Sequence, residues 1–224
     1  MTDAKLPKDF YFCCMSFKNL LFILILAGNC VEAQYSPEDE MPPIARAHDC
    51  MNKGNYRMAE GIYREELRKN NVPGVQQLLC HSLIMQQKFT EADSTLLSLV
   101  ALDSNAEQNY WFLALSAERQ SDDDKTLYLF KKYIAKAKLR IENSHGVESE
   151  NPKAWLKMGS VFRRKMHTKG INDQEWIEMV YDYEVYLRLN PTDQFAFNLN
   201  EYLDQVRLKR PDPMGGILLW DEKS

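Results

Sequence analysis

The chain has 224 residues, 45% of them hydrophobic and 27% charged, with a net charge of −4. That composition suits one or two globular domains, and nine glycines with nine prolines are few turn residues for an all-β fold of this size. No run rich in lysine or arginine stands out, which argues against nucleic acid as a partner, and the abundance of Leu, Lys, Glu, Met and Gln leans helical.

The first element is an apolar block, "NLLFILILAGNC", from Asn19 to Cys30. It is too short to cross about 30 Å of hydrocarbon, which takes about 20 residues. Lys18 precedes it and Val31-Glu32-Ala33 follows, the pattern of a secretory signal cut after Ala33. Residues 1–33 therefore read as a signal peptide and 34–39 as a short linker. Met15 is an alternative start, because "MSFK" supplies a basic segment directly ahead of the block. A second export reading competes: "LAGNC" resembles a bacterial lipobox, in which Cys30 takes a diacylglycerol, although Asn29 stands where that pattern has Gly, Ala or Ser. A buried core helix is the third reading. Cys13, Cys14 and Cys30 lie in this leader, leaving Cys50 and Cys80, which an oxidising compartment could pair as a disulfide across adjacent repeats; two separate buried thiols are the alternative.

Beyond the leader the pattern is helical. Ile44, Ala47, Cys50 and Met51 form one stripe; Gly54-Asn55 is a turn signal; Ala59, Ile62, Tyr63 and Leu67 form a second stripe at spacings of three and four. Residues 40–70 thus predict helix, tight turn, helix. Residues 74–103 repeat this, with Leu78, Leu79 and Leu83 before the turn at Gln87-Lys88, and Phe89, Ala92, Leu96 and Leu99 after it. Residues 106–136 follow with Tyr110, Leu113 and Ala114, then a turn at "SDDD", then Leu127, Phe130 and Tyr133. Residues 151–190 carry Trp155, Met158, Gly159 and Phe162, then Trp176, Met179, Tyr183 and Leu187, with roughly eight extra residues around "KMHTKGIND". Periods of 33 and 34 separate the first three units. A last helix, 192–208, reads as a cap. No such hairpin can bury its apolar face alone, so the units must stack.

These residues resemble the tetratricopeptide repeat (TPR), whose unit of about 34 residues asks for Trp, Leu-Gly and Tyr in its first helix and Ala, Phe or Tyr, and Pro in its second. "AWLKMGSVF" carries the first-helix pattern as Trp155, Met158-Gly159 and Phe162; "NYRMAEGIY" carries the second as Ala59 and Tyr63; Pro191 closes a unit. The small residue at the helix crossing is Ala47, Cys80, Ala114 and Gly159 in turn. The third unit departs most, with Thr126 where alanine is expected. The resemblance implies an all-α, right-handed superhelical solenoid of about four hairpins over residues 40–208, with a capping helix and an irregular tail at 209–224.

It also implies a binding scaffold whose inner face comes from the first helices. By the family's arrangement that face holds His48 and Met51; Gln77, His81 and Met85; Trp111, Leu115 and Arg119; and Arg163 and Arg164. Ile44 and Leu156 belong to the same surface. Methionines adapt to irregular partners, Trp and Arg are enriched in binding hot spots, and the arginines suit a carboxylate. The surface suits an apolar peptide with an acidic end, entering near Trp111; packing of Trp111 and the methionines on neighbouring helices is the alternative. The tail, "RPDPMGGILLWDEKS", cannot continue a helix, yet Ile217, Leu218, Leu219 and Trp220 are too apolar to stand exposed. It folds back on the solenoid, adds to a partner, or fills another copy's groove.

No catalytic constellation, cofactor motif or metal site is expected. His48, His81, His145 and His167 are scattered; the first two would sit about 10 Å apart, one helix-packing distance, too far to share a zinc. "SDDDK" lacks the spacing of a calcium loop and reads as a solvated turn with helix capping. The expectation is a non-catalytic adaptor in the periplasm or at the outer membrane of a Gram-negative bacterium, with envelope proteins as partners. Membrane association would come through a partner or a lipid on Cys30. A glycan- or small-ligand-binding accessory protein of an uptake system is the alternative.

Overall fold

The computed structural model describes residues 41–143, 151–194 and 196–220. The expected signal peptide, its linker, the alternative start at Met15 and the lipid candidate Cys30 lie outside those residues. Nine helices follow one another among the described residues: α1 (Pro43–Asn52), α2 (Tyr56–Lys69), α3 (Pro73–Met85), α4 (Phe89–Leu102), α5 (Glu107–Arg119), α6 (Asp123–Asn143), α7 (Pro152–Thr168), α8 (Asp173–Leu189) and α9 (Ala196–Arg207). None of them is long and apolar enough to cross a membrane. They pair as four hairpins, each packed on the next, with α9 closing against α8. The first helices α3 and α5 also touch directly, so one face is built from first helices. The fold is an all-α helical-repeat solenoid of the TPR type.

The start of each helix is legible in local chemistry. Proline opens α1, α3 and α7, where its missing N–H is not needed. Asn151 accepts the Lys153 N–H to cap α7. Asn172 and Glu175 form a reciprocal capping box at α8: Asn172 accepts from the Glu175 N–H and Glu175 from the Asn172 N–H. The acidic turn is a cap too, since Asp122 Oδ1 accepts the Lys125 N–H at 3.1 Å.

The repeat is also written in the backbone. Gly54, Gln87 and Ser121, at equivalent places in three successive hairpins, all take the left-handed conformation, with φ of 77°, 63° and 59°. This is the helix-ending residue after α1, α3 and α5, where the amide that follows bonds back to a carbonyl in the helix: Asn55 to Cys50, Lys88 to Leu83, Asp122 to Ala117. Glycine does this freely, while Gln87 and Ser121 carry about 1 kcal/mol of backbone strain each.

Close packing at one small residue per hairpin organises the interior. Ala47, Cys80 and Ala114 are fully buried, as are Ala59, Ala92 and Thr126 across the crossing. Thr126 can stand where alanine is expected because its hydroxyl donates 2.7 Å to the Asp122 carbonyl one turn earlier, leaving only its methyl to pack. In the fourth hairpin even alanine is too large: a Cβ on Gly159 would sit 2.7 Å from the Tyr183 ring, and Tyr183 is 1% exposed. The two cysteines do not pair; both are free and buried. Each lies against its own hairpin partner. Cys50 acts on Tyr63 of α2, and Cys80 bonds to Thr95 of α4, with burial pushing its thiol up to about 12.

Gly159→Ala should lower stability by about 1–2 kcal/mol, because overpacking against a ring that cannot retreat outweighs the gain in helix propensity. Gln87→Gly should raise it by about 0.5–1 kcal/mol by removing left-handed strain at an exposed turn. Urea unfolding of the two variants beside the parent reads both signs.

Candidate functional site

The face built by α1, α3, α5 and α7 carries the side chains the sequence pointed to, and the structure sorts them. His48 on α1 is exposed, its ring edge-on to Tyr63 at 6.4 Å. His81 on α3 is half-buried and lies against Phe112 of α5 at 5.3 Å. Arg119, at the end of α5, is exposed. These three act on one another. The basicity of His81 is held below the usual histidine range by burial first, then by the positive charges of Arg119 and His48. Side chains from three successive hairpins thus bear on one half-buried imidazole.

Helix α5 also borders an apolar cleft through Trp111. Trp111 packs on Phe130 and Tyr133 of its own hairpin, at 5.4 and 5.2 Å between ring centroids. Its other side, with Leu156 and Tyr186, borders a cleft of about 300 Å3 whose rim carries Lys153 and Asp193. Leu115 is half-buried against the core. Met51 also packs on the core, while Met85 lines a separate hollow of about 590 Å3 with Tyr56 and Lys88. Trp111 thus packs within its own hairpin, as one expectation had it, and also borders a cleft.

Other expected contacts are spent internally. Gln77 donates 2.8 Å to Asn109, a buried residue of α5, so it ties two first helices together. Arg164 forms a charge-assisted pair with Asp123 of α6, and Lys157 holds Glu118 at 2.8 Å. The guanidinium of Arg163 sits 4.2 Å above the Tyr202 ring of α9. Of the three arginines expected to meet a partner carboxylate, Arg119 alone presents an exposed side chain; Arg163 and Arg164 are half-buried among their own chain's groups.

The tail divides in the same way. Leu218 pairs with Ile171 through two backbone hydrogen bonds, 2.9 and 2.8 Å, making an isolated antiparallel bridge. Ile171 lies in the insertion that lengthened the fourth unit. Gly170 beside it has φ of 79°, and a Cβ there would strike Ile217. Trp220 is 7% exposed; it stacks on Tyr202 at 5.9 Å, its carbonyl accepts from His167, and Lys209 lies 4.7 Å over its ring. The extra residues of the fourth hairpin are thus the seat of the tail. Ile217 and Leu219, on the opposite side of the tail backbone, remain 64% and 65% exposed. The residues Leu218 and Trp220 serve the chain's own fold, and residues 221–224 lie outside the described region. Tyr202 was missed as a site residue because α9 was read as a cap alone; an aromatic on its core stripe was the available signal.

The depressed basicity of His81 has a pH signature. A histidine held low in the folded state is neutral there while the unfolded chain's histidine, with an ordinary value near 6.5, takes up protons. Its contribution to stability is therefore complete above about pH 6.5 and is lost as pH falls toward the lower folded value. Arg119→Gln should make that loss smaller and raise the His81 titration midpoint, as read by NMR of the imidazole protons and by thermal melts between pH 7 and 4.5.

Two solved structures share the architecture. The crystal structure of MamA protein superposes with a TM-score of 0.52 at 16% identity, covering 73% of this chain and 80% of that one. A tetratricopeptide repeat protein from Parabacteroides merdae superposes with a TM-score of 0.51 at 18% identity, covering 75% of this chain. This chain spans 59% of that protein's length. At such identities the likeness is one of fold. No protein-family model matches the chain, and no curated protein does.

Proposed function

We propose that this protein is a non-catalytic interaction scaffold that holds an extended peptide or partner-protein segment, apolar along its body and acidic at one end, in the groove formed by its first helices. One observation carries this reading: Arg119 and His48, from the hairpins on either side, both act on the half-buried His81, and helix α5, which carries Arg119, also supplies Trp111 to the cleft it shares with Leu156. Acidic groups would settle beside His81, where an incoming carboxylate restores its lowered basicity. Apolar side chains would bury against Trp111, the kind of anchor that dominates interface energies. TPR-type folds present such surfaces, and fold alone assigns no partner.

The setting is the envelope of a Gram-negative bacterium, in the periplasm or at the outer membrane. This rests on the export pattern of residues 19–33, cut after Ala33 or lipidated at Cys30. The scaffold would then join envelope proteins into an assembly, with the exposed Ile217 and Leu219 as a second contact.

The groove is tested by exchange. Proteins recovered with the tagged chain from detergent-solubilised envelopes should be lost with Trp111→Ala and with Arg119→Glu, and kept with Arg68→Glu on helix α2, which lines no part of the cleft. A roughly tenfold or greater loss of affinity is expected for Trp111→Ala, the cost of about 1.4 kcal/mol or more that marks a hot spot. Retention of every specific partner by both groove variants would refute the reading. N-terminal sequencing of the exported chain should begin at Gln34.

A further inference from the structure

Away from the groove, a cleft of about 350 Å3 lies between α6 and α8, the second helices of the last two hairpins. Its floor is α7, through Trp155 and Met158; Ile134 and Ala135 of α6 and Tyr181 of α8 form its walls. The volume is that of a small-molecule pocket, mostly apolar with few polar groups, the usual make-up of a ligand site.

One of those polar groups is out of place. Asp182 lines the cleft and is 4% exposed, yet its Oδ2 has no hydrogen-bond partner. A buried polar atom left without a partner costs about 1–3 kcal/mol, and each such atom asks for an explanation. Every charged neighbour looks elsewhere. From α6, Lys131 is bound to Glu178 at 2.7 Å, and Lys138 lies 5.6 Å from the Trp155 ring centroid. From α8 come the carboxylate of Glu178 and the phenols of Tyr181 and Tyr183; α7 presents only Trp155 and Met158. Burial first, then the negative charge of Glu178, push the Asp182 carboxyl up to about 8, against a smaller opposing pull from Lys131. In the empty cleft at neutral pH it therefore carries a proton.

A carboxyl without a partner beside the Trp155 and Tyr181 rings is the chemistry of an organic cation. Ring faces attract ammonium groups, and Trp155 already attracts one in Lys138. A neutral guest would leave the carboxyl protonated, and an anion would have to draw Lys131 from Glu178 or Lys138 from the Trp155 ring. We propose that the cleft binds a primary organic ammonium on an aromatic or aliphatic body. The ammonium donates to Asp182 Oδ2 and the body lies between Trp155, Tyr181 and Ile134. Proton balance is explicit: the protonated Asp182 releases one proton to solvent as the ammonium takes its place, and the amine keeps its own. Affinity then rises about tenfold per pH unit below the carboxyl's midpoint, because the ionised form is the one that binds. It levels above that until the amine itself loses its proton near pH 10.

The test is titration calorimetry of the intact chain with 2-phenylethylamine at pH 6, 7, 8 and 9, in buffers of different ionisation heat. The expected result is one site, affinity up about fiftyfold from pH 6 to 8, close to one proton released below pH 7, and a levelling toward pH 9. Asp182→Asn should weaken binding at pH 8 and flatten the profile, and the neutral isostere 2-phenylethanol should bind without pH dependence. No saturable heat at any pH, an unchanged profile in Asp182→Asn, or tighter binding of the alcohol at pH 8 would overturn the proposal. If Asp182→Asn does not fold, the proton count of the parent chain decides alone: a count near zero refutes it. The cleft and the groove share no lining residue, so either proposal can fail without the other.

Discussion

The structure depends on how closely two helices can approach at one point in each hairpin. Ala47, Cys80, Ala114 and Gly159 mark that point, and the residues facing them across the crossing are buried as completely. Small side chains let the backbones come near, and the larger Tyr63, Leu96, Phe130 and Tyr183 then fill the interior one turn further on. Each hairpin leaves an apolar face that the next one covers, so stability passes along the stack by neighbours rather than through a single core. Among the described residues, charge reinforces this at the surface. Arg64 reaches Glu91, Lys125 reaches Asp93, Lys131 reaches Glu178 and Arg207 reaches Glu184, each pair joining adjacent second helices or the cap. Exposed pairs like these are worth little individually, and burial carries the energy.

The end of such a stack has no neighbour to cover it, and this chain solves the problem twice. Helix α9 supplies a single covering layer through Leu199, Tyr202, Leu203 and Val206. The tail then returns across the last hairpin, so that Trp220 covers Tyr202 and Leu218 docks on Ile171. Two features that looked unrelated along the chain, an overlong fourth unit and an apolar terminus, are one device. The backbone bridge fixes the position of the tail, and alternation of side chains along an extended segment explains why Leu218 and Trp220 turn inward while Ile217 and Leu219 face out.

Electrostatics distinguishes the two faces. On the first-helix face, cationic groups are set close enough to depress a histidine, a surface that gains from an acidic visitor. Between the second helices, a carboxyl is buried beside a like charge, a cavity that gains from a basic one. Both are local departures from full satisfaction, and such departures are where function is sought first.

Periodicity alone determined the architecture: the spacing of Ala59 and Tyr63, repeated at Ala92 and Leu96, fixes hairpins and their order because a helix face is set by residues three and four apart. The turn signal at Gly54-Asn55 and the capping turn at "SDDDK" were legible for the same reason, being interactions within a few residues. What the sequence left open were pairings between distant positions. Gln77 meets Asn109 from 32 residues away, Arg164 meets Asp123 from 41, and Trp220 meets His167 from 53, and only the stacking of one hairpin on the next decides that these groups are consumed while His81 and Arg119 share a surface. The same holds for Cys50 and Cys80, which helical phase puts on similar stripes and which the structure leaves as two free, buried thiols. A side chain's local partners follow from the order of the chain; its availability follows from what the rest of the fold brings against it.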